Sequence, residues 1–337
     1  MRVSVLGAGA WGTAMAAHAA ARQDTVLWGR DPQQVDALQR TRENRRYLPG
    51  VALPAALQCT ADLQQAVAHA TPDGLLVLAV PLAALRALAR QLAAQRAPAV
   101  GVLVLCKGFE RETAALPHQV VEQVFADWPQ HPAVGLLSGP SFADEVARGL
   151  PSALTVASRD ASLLRASVGA LHHDGMRVYA SDDLCGVAVG GAVKNVLAIA
   201  CGVSDGLEQG HNARAALITR GLAEMSRLGL VLGAQRETFT GLSGIGDLVL
   251  TCTGKLSRNR RVGLQLAAGK PLDAIVRELG HVAEGVYTAR TLLELAERHA
   301  IDMPIAAAVG ALLDGTCTAA EAVQALLARE PQPETRP

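Results

Sequence analysis

The sequence predicts an α/β fold with a doubly wound sheet in its first half and only helices in its second. Short apolar runs alternate with helical segments over the first half, as expected for parallel strands buried on both faces. A glycine-rich turn at residues 7–12 follows the first of these runs directly. Beyond residue 181 helix-period segments continue to about residue 328, with almost no strand pattern. We therefore predict an N-terminal Rossmann-type doubly wound sheet with a C-terminal all-α domain.

The apolar runs and helical patterns define the individual elements. Predicted strands cover 3–6, 25–28, 75–80, 102–105, 134–137, 154–157 and 177–180. Predicted helices cover 13–21, 182–200, 213–228, 258–268, 272–279, 287–299 and 319–328. We expect a dinucleotide-binding domain at 1–181, a helical substrate and catalytic domain at 182–330, and a flexible tail at 331–337, which is polar and proline-rich.

Composition excludes several classes of protein. Lysine plus arginine equals aspartate plus glutamate at 31 each, which argues against a broad nucleic-acid surface but leaves room for a small phosphate pocket. The six cysteines form no CxxC pair or metal-spaced cluster, so we expect reduced thiols, no metal site and a cytoplasmic location. The apolar N-terminus resembles a signal peptide, but ordered glycines interrupt it, so we predict none. No uncharged stretch is long enough to span a bilayer.

The turn Gly7-Ala8-Gly9-Ala10-Trp11-Gly12 has the GxGxxG spacing between a predicted strand and a predicted helix. Gly7 permits the tight turn, Gly9 lets the backbone approach a pyrophosphate, and Gly12 lets helix and strand pack closely. The helix N-terminus offers free N–H groups to the phosphates. This context predicts a nicotinamide dinucleotide site; the alternative is a glycine-rich turn without a ligand.

The end of the second strand bears on which dinucleotide binds. An acid there holds the ribose hydroxyl of NAD, whereas an arginine accommodates the 2′-phosphate of NADP. Arg30 is the first long side chain after the strand, and Asp31 follows it. Because the arginine comes before the acid, the sequence favours NADP and leaves NAD open. The alternative is that Arg30 is an ordinary solvated loop residue.

Two strand ends and one helix carry the candidate catalytic groups. Lys107 follows one strand, and Gly139 and Ser141 follow the next, at the sheet edge where such folds bind ligands. Lys194 lies inside an apolar helix, where burial and a nearby Lys107 would lower its pKa and suit it to proton transfer. The alternatives are a surface charge for Lys107 and a boundary lysine with its tip in solvent for Lys194.

Two helix starts complete the set. Asp247 follows a glycine-rich segment and is predicted to orient Lys194 or a substrate hydroxyl, unless it is only a capping acid. Ser257 suits an N-cap, and the N–H groups after it with Arg258 form a phosphate site. The alternative is a solvated basic face made by Arg258, Arg260 and Arg261.

Together these motifs resemble the bacterial-type NAD(P)-dependent glycerol-3-phosphate dehydrogenases over nearly the whole chain. The motifs are GAGAWGTA at 7–14, LWGRD at 27–31, NRRYLPG at 44–50, CKGFE at 106–110, LSGPSFADEV at 137–146, VKNVLAIACGVSDGLEQG at 193–210, NARAALITRGLAEM at 212–225, TFTGLSGIGDLVLTCTGKLSRNRRVG at 238–263 and VAEGV at 282–286.

The resemblance implies reduction of dihydroxyacetone phosphate to glycerol 3-phosphate for glycerophospholipid synthesis, NADP or NAD as cofactor, and a homodimer. It implies that Lys194 is the proton donor and acceptor. Around the substrate it places Lys107, Gly139, Ser141, Lys194, Asp247, Ser257, Arg258 and Asn259. Around the cofactor it places Gly7, Gly9, Ala10, Trp11, Gly12, Arg30, Tyr47, Lys107, Ala143, Arg258, Val282 and Glu284. The family commonly has serine at position 10, so Ala10 lacks one hydroxyl toward the pyrophosphate.

Two other functions stay open at this point. A dehydrogenase of β-hydroxyacids or sugar acids shares the two-domain plan, and its carboxylate substrate could use Arg258 and Lys194. The long motif at residues 238–263 argues against this class of dehydrogenase. A nucleotide-sensing regulator on a decayed scaffold should have lost Lys194, Asp247 or Arg258, and all three are present.

Overall fold

A computed structural model describes residues 1–95, 101–128, 131–279 and 283–330. The strands are β1 Arg2–Leu6, β2 Asp24–Trp28, β3 Glu43–Asn44, β4 Leu48–Ala52, β5 Gln58–Thr60, β6 Leu75–Leu78, β7 Gly101–Val104, β8 Ala133–Ser138, β9 Ser152–Ser158 and β10 Met176–Ser181. The first seven helices are α1 Ala10–Ala20, α2 Pro32–Thr41, α3 Leu63–Ala70, α4 Leu82–Gln95, α5 Pro117–Val124, α6 Ala143–Ala147 and α7 Ala161–Leu171.

The chain continues with helices alone among the residues described beyond β10. They are α8 Leu184–Gly206, α9 Gly210–Val231, α10 Arg236–Phe239, α11 Asp247–Thr253, α12 Arg258–Ala267, α13 Leu272–Leu279, α14 Glu284–Arg298, α15 Pro304–Leu313 and α16 Ala319–Leu327, with a kinked π-helical segment at Leu242–Gly246. The predicted fold class is confirmed. The boundary at 181/182 between two domains stays a prediction, and the tail 331–337 lies outside the described residues.

Eight strands form one sheet in the order β10-β9-β8-β7-β6-β1-β2-β5. From β5 to β8 the neighbours are parallel, with β1 between β2 and β6. The chain therefore leaves β1 in one direction for β2 and later returns to its other side at β6. In doubly wound sheets ligands bind at such a switch point, beyond the carboxyl ends of the strands, and the glycine-rich turn follows β1 there.

One pairing departs from the all-parallel expectation. β9 runs antiparallel to β8, with Leu137 opposite Val156, and β10 then pairs parallel to β9. The chain between β8 and β9 holds only the five-residue helix α6, and it turns back instead of crossing the sheet. The apolar pattern of 154–157 marked the strand correctly but carried no information about its direction.

Helix α8 is the core of the second half. Asp183 caps its start by accepting a hydrogen bond from Gly186 N at 2.8 Å, so the helix begins two residues later than predicted. Side chains at Gly202 or Gly263 would overlap the backbone of the opposite helix, which is why α8 and α12 approach closely. α8 is also long and apolar enough to cross a membrane, but 89% of its apolar window is buried in the protein, as in a core helix.

Helix α15 was absent from the sequence prediction. Pro304 occupies its first turn, and its free N–H groups are satisfied from another helix: Glu224 on α9 accepts from Ile305 N at 2.7 Å and Ala306 N at 3.2 Å. Burial raises the pKa of Glu224 to about 7, although these two hydrogen bonds oppose the shift. A capping group 81 residues away in the sequence leaves no local signal.

Candidate active site

The glycine-rich turn has the geometry that the sequence predicted. Gly7 adopts φ +129°, and its N–H donates to Trp28 O at 2.9 Å, joining the ends of β1 and β2. A side chain on Gly12 would overlap Gly7 O, so α1 packs directly on the turn. A Cβ on Gly9 would meet no atom within 4 Å, so the backbone there faces open space.

The start of α1 suits an anion. Gly9 provides no side-chain cap, and the first turn contains no acid, so its N–H groups are not used by a capping side chain. Ala10 and Trp11 are half-buried at the same place. The residues present thus fit the pyrophosphate of a dinucleotide, with backbone N–H groups as the ligands and no hydroxyl at position 10.

The two charged residues that follow β2 have different surroundings. Asp31 caps α2, and its carboxylate accepts from Gln33 N at 3.0 Å and Gln34 N at 3.5 Å. Arg30 is exposed. Tyr47, half-buried on the loop between β3 and β4, has the Arg46 guanidinium 5.1 Å from its ring centroid.

Lys107 lies two residues beyond Leu105, at the carboxyl end of β7. Its Nζ donates to Asp247 Oδ2 at 2.6 Å. A Cβ on Gly191 of α8 would stand 3.3 Å from both Lys107 Cγ and Ser138 Oγ, so the small residue lets α8 pack on the ends of β7 and β8. Helix α8 and the sheet edge are therefore in direct contact.

Lys194 is buried in the middle of α8, and its ammonium group has two partners. It donates to Asp247 Oδ1 at 2.5 Å and to Thr251 Oγ1 at 2.9 Å. The Thr251 hydroxyl in turn donates to Asp247 O at 2.6 Å. Asp247 begins α11 and is 1% exposed, so one buried carboxylate joins the two lysines.

Thr251 was missed by the sequence analysis. It stands four residues after Asp247 on the same short helix, a spacing that puts both side chains on one face. The sequence analysis placed Asp247 at a helix start but assigned no extent to the helix, which has only seven residues before Gly254. From that helix start, the i, i+4 spacing is the signal that would have found Thr251.

The electrostatics of the three charged groups follow from burial and proximity. Burial is the main cause that lowers the pKa of Lys194 to about 8; the Asp247 carboxylate raises it, and the positive Lys107 lowers it. Burial alone would raise the pKa of Asp247, but Lys107 and Lys194 together bring it below its ordinary value. The predicted lowering for Lys194 and both of its predicted causes are confirmed.

The start of α12 forms the predicted N-terminus. Ser257 Oγ accepts from Arg260 N at 3.3 Å, and Arg258 in the first turn is exposed. Asn259 is buried: its Nδ2 donates to Asn195 Oδ1 at 2.8 Å, and its Oδ1 accepts from Gly285 N at 3.1 Å. Asn259 thus connects the start of α12 to the residue after Lys194.

The remaining predicted residues lie on other elements. Gly139 adopts φ +129° after β8, and Ser141 Oγ donates to Gly139 O at 3.1 Å. Ala143 begins α6 and Glu284 begins α14, where burial raises the pKa of Glu284 against the opposing effects of Arg258, Lys107 and Lys194. Val282 lies outside the described residues.

In the described ranges no three His, Cys, Asp or Glu side chains gather as metal ligands do.

A dinucleotide turn at a sheet switch point and a lysine pair sharing one buried carboxylate define an NAD(P)-dependent oxidoreductase. Family models described as the N-terminus and the C-terminus of NAD-dependent glycerol-3-phosphate dehydrogenase match residues 2–164 and 183–324. The chain belongs to this family.

Individual relatives agree with the family models over the full length. The chain is 59% identical to the glycerol-3-phosphate dehydrogenase [NAD(P)+] of Cupriavidus taiwanensis, over 99% of this chain and 100% of the relative. It is 57% identical to the protein of the same name from Methylibium petroleiphilum, over 99% and 98%. The crystal structure of glycerol-3-phosphate dehydrogenase from Coxiella burnetii superposes with a TM-score of 0.91 at 40% identity, covering 97% of this chain and 99% of that one.

Proposed function

We propose that the chain catalyses the reversible NAD(P)H-dependent reduction of dihydroxyacetone phosphate to sn-glycerol 3-phosphate. The observation that carries the proposal is the sharing of the Asp247 carboxylate by Lys194 and Lys107 at the sheet edge. Membership of the glycerol-3-phosphate dehydrogenase family supports the choice of substrate. All three residues are those that the sequence analysis assigned to catalysis.

The cofactor would be held by the turn and the residues around it. The backbone from Gly9 to Trp11 would bind the pyrophosphate, and the exposed Arg30 would pair with a 2′-phosphate. Asp31 is engaged as the cap of α2, which supports a preference for NADP over NAD. Gly7, Gly12, Tyr47, Ala143, Val282 and Glu284 are proposed to complete the cofactor site. When bound, the nicotinamide supplies the hydride for reduction and accepts it in the reverse direction.

Lys194 would handle the proton. In the reducing direction its Nζ donates a proton to the oxygen that gains charge at the substrate carbonyl; in the reverse direction it takes that proton back. Asp247 and Thr251 hold Nζ from two sides, which limits its rotation. Lys107 adds positive charge beside the forming oxyanion. A pKa of about 8 leaves Lys194 largely protonated at neutral pH yet able to release its proton.

The phosphate of the substrate would bind at the start of α12. Free N–H groups after Ser257 and the exposed Arg258 guanidinium form a cationic site for it, and Gly139 and Ser141 would bound the same space. Asn259 ties this helix start to Asn195, next to Lys194. Holding the phosphate there would fix the distance between the reacting carbonyl and Lys194.

The cellular role is proposed on the same basis. We infer that the enzyme acts in the cytoplasm as a homodimer and supplies glycerol 3-phosphate for glycerophospholipid synthesis. Light scattering during size-exclusion chromatography tests the dimer, since a monomer mass would contradict it. Cell fractionation followed by immunoblotting tests the location.

A substrate screen tests the reaction. The purified protein is incubated with NADPH or NADH and either dihydroxyacetone phosphate or a panel of 2-oxo acids, and dinucleotide oxidation is followed spectrophotometrically. We expect oxidation with dihydroxyacetone phosphate, faster with NADPH at low dinucleotide concentration, and formation of glycerol 3-phosphate. Turnover of a 2-oxo acid without turnover of dihydroxyacetone phosphate would instead favour a hydroxyacid dehydrogenase.

A further inference from the structure

The carbonyl of Ala8, between the first two glycines of the turn, accepts hydrogen bonds from two side-chain amides. Gln34 Nε2 on α2 donates to Ala8 O at 2.8 Å, and Asn44 Nδ2 donates to it at 3.0 Å. Both donors come from outside the β1–α1 unit. The carbonyl is thus fixed by two elements that follow the turn in the chain.

Asn44 makes the more extensive contact of the two. It is 2% exposed, ends the short strand β3, and also donates to Thr13 Oγ1 at 2.7 Å on α1. One amide group therefore holds the turn and the first helix together. The β3–β4 hairpin that carries it lies outside the main sheet, so the sheet does not require this contact.

Because the peptide unit is planar, this contact at Ala8 O also fixes the direction of the next N–H group, at the proposed cofactor site. In a trans peptide the C=O of one residue and the N–H of the next point in opposite directions. With Ala8 O held by Asn44 and Gln34, the Gly9 N–H must point away from them. A Cβ on Gly9 would meet no atom within 4 Å, so open space lies beside this peptide, where the pyrophosphate is proposed to bind.

We propose that Asn44 is a positioning residue for dinucleotide binding, which acts by fixing the orientation of the Ala8–Gly9 peptide. The inference rests on the proposed function only in requiring that a dinucleotide bind at this turn. Because position 10 is alanine and offers no hydroxyl, the site depends on correctly oriented backbone N–H groups. Asn44 therefore acts on cofactor affinity, while the chemistry at Lys194 does not involve it.

The test compares Asn44→Ala, Asn44→Asp, Gln34→Ala and the control Arg45→Ala. Arg45 lies on the same hairpin, is exposed and pairs with Glu43, two residues before it. NADPH affinity is measured by isothermal titration calorimetry, thermal unfolding is recorded for each variant, and kcat and KM are measured for both substrates. Calorimetry reports binding without turnover, so a wild type that binds NADPH but does not reduce dihydroxyacetone phosphate would overturn only the proposed function.

We expect Asn44→Ala to raise the Kd for NADPH about two- to tenfold, the range for one lost hydrogen bond. Asn44→Asp should weaken binding further, because it replaces a donor with a negative acceptor. The kcat at saturating NADPH and the KM for dihydroxyacetone phosphate should stay within about twofold of wild type.

A lower melting temperature with unchanged NADPH affinity in Asn44→Ala would overturn the proposal and leave a purely structural role. Equal weakening by Arg45→Ala would overturn it too, because the effect would then belong to the hairpin in general. If Asn44→Ala does not fold, Gln34→Ala decides. A severalfold loss of NADPH affinity supports the proposal that the fixed Ala8 carbonyl orients the binding site, and unchanged affinity contradicts it.

Discussion

Lys194 and Lys107 donate hydrogen bonds to the two different oxygens of a single carboxylate, that of Asp247, at 2.5 and 2.6 Å. One lysine comes from the core helix α8 and the other from the end of strand β7. Two ammonium groups this close would repel each other in a buried site, and the shared negative charge between them offsets that repulsion. Asp247 thereby fixes the position of both groups proposed to act on the substrate, and its charge raises the pKa of Lys194.

The pKa of Lys194 predicts opposite pH dependences for the two directions of the reaction. Reduction needs the protonated lysine, so its rate should fall as pH rises through about 8. Oxidation of glycerol 3-phosphate needs the neutral amine, so its rate should rise through the same pH. The measurement is kcat/KM against pH in both directions, corrected for the proton in the overall equilibrium. Profiles that change in the same direction would contradict Lys194 as the titrating group.

Removing the shared carboxylate should shift that profile. In Asp247→Asn the charge that raises the pKa of Lys194 is absent, while burial and Lys107 still lower it. We expect the fall in the reduction rate to move to lower pH by about one unit or more, with a loss of activity near neutrality. Circular dichroism shows whether the variant is folded. A folded variant with an unchanged pH midpoint would mean that Asp247 does not control Lys194.

Arg30 should control the choice between the two dinucleotides. Arg30→Ser removes the proposed partner of the 2′-phosphate, so the Kd for NADPH should rise about ten- to a hundredfold, the range for a lost charged hydrogen bond. The Kd for NADH should stay within about twofold. Arg40→Ala, an exposed arginine on α2 paired with Asp36, is the matched control. Parallel losses for NADPH and NADH in Arg30→Ser would argue against a phosphate contact.

Glu224 should make stability depend on pH. Its folded-state pKa of about 7 lies above the ordinary 4.5, so the folded protein holds a proton that the unfolded chain has released between these values. This contribution to the free energy of unfolding is complete below pH 4.5 and is lost as the pH rises to 7. The free energy of unfolding should therefore fall by about 1–3 kcal/mol over this range. Urea unfolding at pH 5 and pH 8 measures it.

The matched variant for this prediction is Glu224→Gln, which keeps a carbonyl oxygen for the start of α15 but does not titrate. Its difference in unfolding free energy between pH 5 and pH 8 should be smaller than that of wild type. The same difference in both proteins would assign the pH dependence to other groups.

The sequence was most informative where patterns are local. Continuous apolar runs marked seven strands of the sheet, and the glycine spacing at residues 7–12 placed the turn correctly. Lys194 stood out because a charge inside an apolar helix requires a partner. Asp247 stood out because it follows a glycine-rich segment, and the structure joins the two as the functional interpretation required.

The elements that the sequence did not reveal are held by distant contacts. Strand β5 has three residues and the hairpin strand β4 exposes most of its side chains, so neither shows a strand period. Asn44 gains its importance only from where Ala8 lies in space, and the direction of β9 depends on the length of α6. No pattern within a short window contains these relations.

Lys194 is proposed to transfer the proton in the reaction, and the Lys194→Ala variant removes that group. The rate of NADPH oxidation with saturating dihydroxyacetone phosphate is compared with wild type and with Lys270→Ala, an exposed lysine paired with Glu278. We expect the rate of Lys194→Ala to fall by about 10²–10⁴-fold, the range for loss of a general acid, with the Kd for NADPH unchanged and the rate of Lys270→Ala normal. A folded Lys194→Ala variant that oxidises NADPH at close to the wild-type rate would contradict it.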